Sequence, residues 1–167
     1  METPITSEAP GPEWISISPN PGNLFQKLVL DAWGRLEGDD PVFGFRVQQH
    51  HCNSRQICHG GMLMTFCDYI LPAIARLKSA QDVGFTPTVS MTTNFIAPAK
   101  LGTWLEGRAN VLRRSTHLVF VEGVVKHADT IIVQVSGIFK QSGGEGLLPR
   151  SPSMIDLLPK GKSVDQR

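Results

Sequence analysis

A small set of polar positions sits in an otherwise apolar part of this chain: Asn53, the run His59-Gly60-Gly61, and Asp68, all within HCNSRQICHGGMLMTFCDY. Asp68 falls inside LMTFCDYILPAIARL, whose other residues mostly suit burial. An ionised carboxylate taken out of water is costly unless it is paired or has a chemical task. Two roles are open to it: an aspartate hydrogen-bonded to hold a neighbouring loop, or a carboxylate that attacks an electrophile or takes a proton. His59-Gly60-Gly61 opens the same segment. At a helix start the free N–H groups point outward and the dipole favours negative charge. Residues without side chains let a ligand come close. The arrangement is an oxyanion or anion site in outline, and it is equally what a tight strand-to-helix turn needs.

Gly60 and Asp68 are eight residues apart, roughly 12 Å along one helix. One reacting carbonyl cannot touch both. Two such helices packed antiparallel about a two-fold axis would bring Gly60 of one chain near Asp68 of the other, so a cooperating pair implies a site shared between subunits. Pro72 lies four residues beyond Asp68, and its ring clashes with the Asp68 carbonyl, so a bend is expected there. Asn53 could orient a carbonyl with its amide or serve as a turn residue. Ser90 could place a water from the polar face of its strand, or face solvent. Arg113-Arg114 could hold a phosphate or form a solvated strand end. Cys52 and Cys58, with nothing visible to lower their pKa, are weak nucleophile candidates. With Cys67, His50, His51 and His59 they match no zinc spacing, so no metal is expected.

The elements that must position these residues follow from periodicity. Asn23 reads as an N-cap, with Leu24, Phe25, Leu28, Trp33 and Leu36 at helical spacing up to Gly34–Gly38. Asp39-Asp40-Pro41 reads as a turn, and residues 42–49 as a strand. Residues 61–78 become helical, with Leu63, Phe66, Ile70, Ile74 and Leu77 on one stripe. Four strand-like runs follow at 86–96, 103–114, 117–126 and 130–140, and they read as a meander. An antiparallel sheet against one long apolar helix is an α+β layer architecture. A single helix cannot cover such a sheet, so an oligomer is expected.

With 167 residues, 41% hydrophobic and 19% charged, the chain suits one globular domain. A formal net charge of +1 gives no footprint for nucleic acid or an acidic membrane. The opening METPITSEAPGPEW is acidic and proline-rich, so no signal peptide or anchor is expected. Three cysteines, an odd count, suggest reduced thiols and a cytoplasmic setting.

Taken together, Asn53, His59-Gly60-Gly61 and Asp68, followed by TVSMTTNFIAPAKLG, resemble the motif of hotdog-fold acyl-CoA thioesterases of the phenylacetyl-CoA thioesterase (PaaI) type. The resemblance covers about 42–140. It implies a hotdog fold, a sheet wrapped around one central helix, and a homodimer with a continuous sheet, usually paired into a homotetramer. Outside it, composition gives a flexible Pro-rich arm (1–22) with one short ordered piece at 14–17 and a polar tail (142–167), which leaves 23–141 as the hotdog domain. It implies hydrolysis of an acyl-CoA to a free acid and CoA, without a cofactor. Gly60 would donate its N–H to the thioester oxygen, with Gly61 beside it, Asn53 assisting and His59 bracing the loop. Asp68 of the partner subunit would be nucleophile or general base, and Ser90 would help place water. Arg113 and Arg114 are the candidates for holding the CoA phosphates. The family usually has a small residue where Gln56 stands, so the acyl pocket or the loop backbone is expected to differ. A hotdog dehydratase or hydratase, and a non-catalytic acyl-CoA-binding protein, are the alternative readings.

Overall fold

The structure, a computed structural model, describes residues 6–17, 24–79 and 86–141. In chain order these hold β1 (Ile15–Ser16), α1 (Leu24–Val29), β2 (Trp33–Glu37), β3 (Asp40–Arg46), α2 (Gly60–Leu77), β4 (Thr88–Phe95), β5 (Trp104–Arg114), β6 (Leu118–His127) and β7 (Thr130–Lys140), with a single 3₁₀ turn at Gln49–His51. The strands form one antiparallel sheet in the order β1-β2-β3-β5-β6-β7-β4. α2 touches β3, β4, β5, β6 and β7, so the sheet wraps around it. This is the hotdog architecture.

The stripe read from the sequence seats α2. Leu63, Phe66, Ile70 and Ile74 are buried, and Leu77 packs at the margin of the core. Phe43, Phe45, Leu105 and Phe139 meet them from the sheet and are fully buried. Each such side chain contributes about 1.5–3 kcal/mol on burial. Gly107 on β5 lets the helix lie close, because a Cβ there would collide with Ile70 and Phe66.

Three expectations are corrected. The helix expected from Asn23 to Gly34–Gly38 is short: α1 ends at Val29 and Trp33–Glu37 is strand β2. Trp33 and Leu36 fit a helical stripe, but β2 instead pairs along its length with β3 through a two-residue turn whose Gly38 has φ +61°. Asp40 and Pro41, expected in the turn, are the first residues of β3. The four later strands are not a simple meander: β5, β6 and β7 are, but β4 crosses to the far side and pairs with β7. The expected Asn23 cap and the tail 142–167 lie outside the described residues.

The arm, expected to be loose apart from one short ordered piece at 14–17, carries β1 in that piece and is ordered beyond it over 6–17. Val42 and Trp104 alternate with core residues and so point to the sheet's other face, where Trp14 joins them, only 5% exposed. The Trp14 and Trp104 rings meet edge to face at 5.0 Å. Arg35 lies over Trp14 and Arg46 over Trp104. The Trp33 indole N–H donates to the Ser7 carbonyl at 3.0 Å. This part of the arm is therefore folded onto the sheet. At the opposite end, β4 has no neighbour on its outer edge among the described residues, and Val89, Phe95 and Ile96 are more than half exposed. No helix among the described residues is long and apolar enough to cross a membrane.

Candidate functional site

The site gathers at the N-terminus of α2. His59 is its N-cap, with extended backbone, and its Nδ1 accepts the Gly61 N–H at 2.9 Å. The N–H groups of Met62 and Leu63 both go to the His59 carbonyl. The Gly60 N–H is left without an acceptor among the described residues. It is a free donor at the positive end of an 18-residue helix. A Cβ at Gly60 would sit 3.2 Å from the Phe95 ring, and one at Gly61 would sit 3.0 Å from His59 Nδ1. Both glycines thus have steric reasons: one keeps β4 close, the other lets the cap form.

The loop ahead of α2 is tied down from two sides. The Cys58 N–H donates to the Ala99 carbonyl at 2.8 Å and the Leu101 N–H to the Gln56 carbonyl at 3.0 Å, so the β4–β5 connection braces it. Asn53 Oδ1 accepts the N–H groups of Arg55 and Ile57. Its turn role is filled by the oxygen, and its NH₂ end is the group left to donate to a ligand. Gln56 has φ +58°, the left-handed region that favours glycine. The departure noted in the sequence therefore falls on a backbone position with a steric demand.

Behind the loop sits His51, 3% exposed, which the sequence reading treated only as a metal candidate. Its Nδ1 accepts the Gln48 N–H at 2.9 Å, so Nε2 carries the proton and donates to the Val29 carbonyl at 2.9 Å. Its own carbonyl accepts the His59 N–H at 2.8 Å. Burial, with the neighbouring His50, pushes its pKa down to about 4. It is a neutral strut from α1 to the start of α2. Nothing in spacing alone would have marked it.

Asp68 lies on the exposed side of α2, two turns along, with Met64, which is 40% exposed. The expected burial is absent within one chain. Its Oδ1 accepts the Thr88 hydroxyl at 2.5 Å. Thr88 was missed as a site residue, and the reason is a bulge. Thr88 registers with Phe139 but Ser90 with Ile138, so Val89 is an extra residue. Thr88, Met91, Thr93 and Phe95 oppose Phe139, Gly137, Val135 and Val133, which are buried toward the helix. Ser90 opposes Ile138 and so points to the sheet's other face. The bulge thus puts Thr88 beside Asp68, while Ser90, expected near the acid, faces away from it by ordinary alternation with Met91.

The two arginines lie elsewhere. Arg114 donates to the Ala75 carbonyl and, at 2.7 Å, to Gln141 Oε1, so its guanidinium holds the C-terminal end of α2. Arg113 is exposed on the same strand. Ala75 is fifteen residues beyond Gly60, roughly 22 Å along the helix. One chain therefore joins Asn53, His59, Gly60 and Gly61 at one end, Asp68 midway, and Arg113 with Arg114 at the other end.

Comparison with known proteins agrees with this fold. The thioesterase superfamily model matches residues 55–133. A Pseudomonas aeruginosa protein named as a candidate esterase, PA0474, is 28% identical over 98 residues, covering 59% of this chain and 72% of its own. A mutant of the phenylacetic acid degradation protein PaaI of Thermus thermophilus superposes with a TM-score of 0.61 at 16% identity, over 71% of this chain and 98% of its own. A hypothetical thioesterase of Streptococcus pneumoniae, solved with coenzyme A, gives 0.58 at 17% identity, over 67% and 86%. In fold the chain is a hotdog protein, which over 55–133 resembles the thioesterase superfamily and in fold resembles the PaaI-type proteins.

Proposed function

We propose that the chain hydrolyses an acyl-CoA thioester to a free carboxylic acid and CoA, in sites shared between two copies. The observation that carries this is the pairing of a free Gly60 N–H at the helix start with an Asp68 carboxylate held by Thr88 on the exposed side of the same helix. A thioester carbonyl needs a donor where negative charge develops and an activated oxygen nucleophile on its other side. The superfamily match over 55–133 and the esterase name of PA0474 support hydrolysis. Coenzyme A in the S. pneumoniae structure supports the thiol part of the substrate.

In this reading the open edge of β4 pairs with β4 of a second copy, burying Val89 and Phe95 and extending the sheet. The two α2 helices then run antiparallel. Gly60, with the Asn53 NH₂ group assisting, polarises the thioester oxygen, and His59 holds the turn. Asp68 of the partner subunit attacks the carbonyl or deprotonates a water that does so, with Thr88 of that same subunit fixing the carboxylate. The thiolate leaves and takes up a proton from water; where Asp68 has attacked, a water then hydrolyses the mixed anhydride, releasing the acid and restoring the carboxylate. The test is thiol release over a panel of acyl-CoAs with acid measured in parallel. Equal amounts of thiol and acid support the reading. Binding without release would make the chain an acyl-CoA binder, and a change in the conjugated absorbance of an enoyl-CoA without thiol would make it a hydratase.

A further inference from the structure

Cys52 and Cys58 oppose each other across the neck of the loop that carries Asn53. The Asn53 N–H donates to the Ile57 carbonyl at 2.9 Å and the His59 N–H to the His51 carbonyl at 2.8 Å. These bonds flank the cysteines and none joins them, so the two form a non-hydrogen-bonded antiparallel pair. In such a pair the Cα atoms lie about 4.5 Å apart and both side chains leave on one face. A disulfide spans Cα separations of roughly 4.4–6.8 Å. The shared face is the core side: Cys58 is 4% exposed in the core and Cys52 packs at its margin. Cys67 is fully buried in α2 and is not paired with another cysteine in this way.

We propose that Cys52 and Cys58 are a reversible disulfide site whose closure clamps the loop carrying Asn53 and the helix start at His59-Gly60. The covalent site stands on the geometry of the pair. Only its effect on turnover rests on the thioesterase reading. The oxidant is a low-molecular-weight disulfide. Cys52 is partly exposed and borders a cleft of about 380 Å³ lined by Val29, His50, His51, His59 and Met62, which gives such a molecule access. The Cys52 thiol loses its proton to water and attacks one sulfur of the small disulfide. That S–S bond breaks, and one thiolate leaves and is protonated. Cys58 then loses its proton and attacks the Cys52 sulfur of the mixed disulfide, releasing the second small thiol. The protein dithiol is oxidised by two electrons, and the small disulfide is reduced to two thiols. Excess thiol runs the same steps backward.

Burial raises the Cys52 thiol, and burial together with the adjacent Cys52 pushes Cys58 up to about 12. Exchange is therefore slow near neutral pH and quickens as pH rises. Closure draws Cβ atoms from about 4.5–5.5 Å, the usual cross-strand range, to about 3.8 Å. The strand segments on either side must move together. The His59 N–H and the free Gly60 N–H move with them.

The test equilibrates the full chain in mixtures of oxidised and reduced glutathione, alkylates free thiols, and maps peptides by mass without reduction. A Cys52–Cys58 linkage is expected to rise with the oxidised fraction, to disappear on return to reduced glutathione, and to leave Cys67 alkylated. Cys52→Ser should remove it, and Cys58→Ala should leave glutathione on Cys52. Amide exchange at 59–61 should slow in the linked form. After removal of glutathione, the linked form should turn over acyl-CoA about tenfold more slowly, as expected when a donor is displaced by a fraction of an ångström to an ångström. Both thiols staying free at every ratio, glutathione resting on Cys52 beside a free Cys58 in the unaltered chain, or linkage through Cys67 would overturn the site. A linkage that changes neither exchange nor turnover would overturn the clamp. If the reduced protein hydrolyses no acyl-CoA, the thioesterase reading fails, and the mapping and exchange still decide the clamp.

Discussion

The Thr88 hydroxyl reaches across from β4 to the Asp68 carboxylate on α2, with 2.5 Å between the oxygens. The bond fixes one carboxylate oxygen on the exposed side of α2. Asp68→Asn keeps shape and most hydrogen bonding but can neither attack nor accept a proton. Hydrolysis should fall by about 10²–10⁴ while fold and oligomer are unchanged. Near-normal turnover with a correct circular dichroism spectrum would exclude Asp68 from the chemistry.

Thr88 and Ser90 make a paired test of the bulge. Thr88→Val keeps size and removes the hydroxyl that orients Asp68. We expect kcat to drop about tenfold with little change in KM, since the carboxylate loses orientation rather than identity. Ser90→Ala, on the other face of the sheet, should stay within about twofold. The opposite ranking in steady-state kinetics would return the water-positioning role to Ser90.

The shared site predicts rescue between two dead chains. An Asp68→Asn chain mixed with an Asn53→Ala chain gives a heterodimer in which one site carries both lesions and the other neither. About half of the full dimer activity should return in that species. Subunit exchange is confirmed first by native mass. Exchange without recovery would place Gly60 and Asp68 in separate tasks.

The stripe of Leu63, Phe66, Ile70 and Ile74 made α2 legible, because helical burial repeats within a few residues. The helix start was legible for the same reason: cap, glycines and loop are local in sequence. What failed was non-local. Trp33 and Leu36, three apart, share a face on a helix and lie on opposite faces of a strand, and only pairing with β3 overrides the helical spacing. Trp14 was legible only as the start of a short ordered piece at 14–17, because its partner Trp104 lies ninety residues on. Thr88 was hidden by one extra residue in β4, since a bulge exchanges the faces of every residue before it and leaves no mark in composition. His51 depends on a carbonyl at Val29 that no spacing rule connects to it.

Gln56 holds a left-handed backbone, φ +58°, in the site loop, and its side chain is exposed. A non-glycine residue there costs about 1–2 kcal/mol, part of which glycine returns through its greater unfolded-state entropy. Both loop bonds at this position are made by the backbone, which glycine retains. Gln56→Gly should therefore stabilise by about 0.5–1 kcal/mol, raising Tm by about 2 °C. A lower Tm would mean that the Gln56 side chain contributes more than its exposure suggests.

His51 gives the pH dependence of the fold. Its folded pKa of about 4 lies below the ordinary value of 6.5, because burial and His50 disfavour the charged ring. A proton on Nδ1 would also oppose the Gln48 N–H that donates to it. Above pH 6.5 the ring is neutral in both folded and unfolded chains, and its contribution is complete. As pH falls from 6.5 toward about 4 the unfolded chain takes up a proton that the folded chain refuses, so stability is lost across that window and levels off below it. Between pH 7.5 and 5 the loss is about 2 kcal/mol, or about 5 °C in Tm. Changing pH alters more of the chain than this ring, so the measurement is a difference. The Tm gap between the native chain and His51→Asn should be wide at pH 7.5 and should narrow by about 5 °C at pH 5. A gap that is the same at both values would mean that the folded ring takes up its proton as readily as the unfolded one, and that the strut between Val29 and the start of α2 does not depend on a neutral ring.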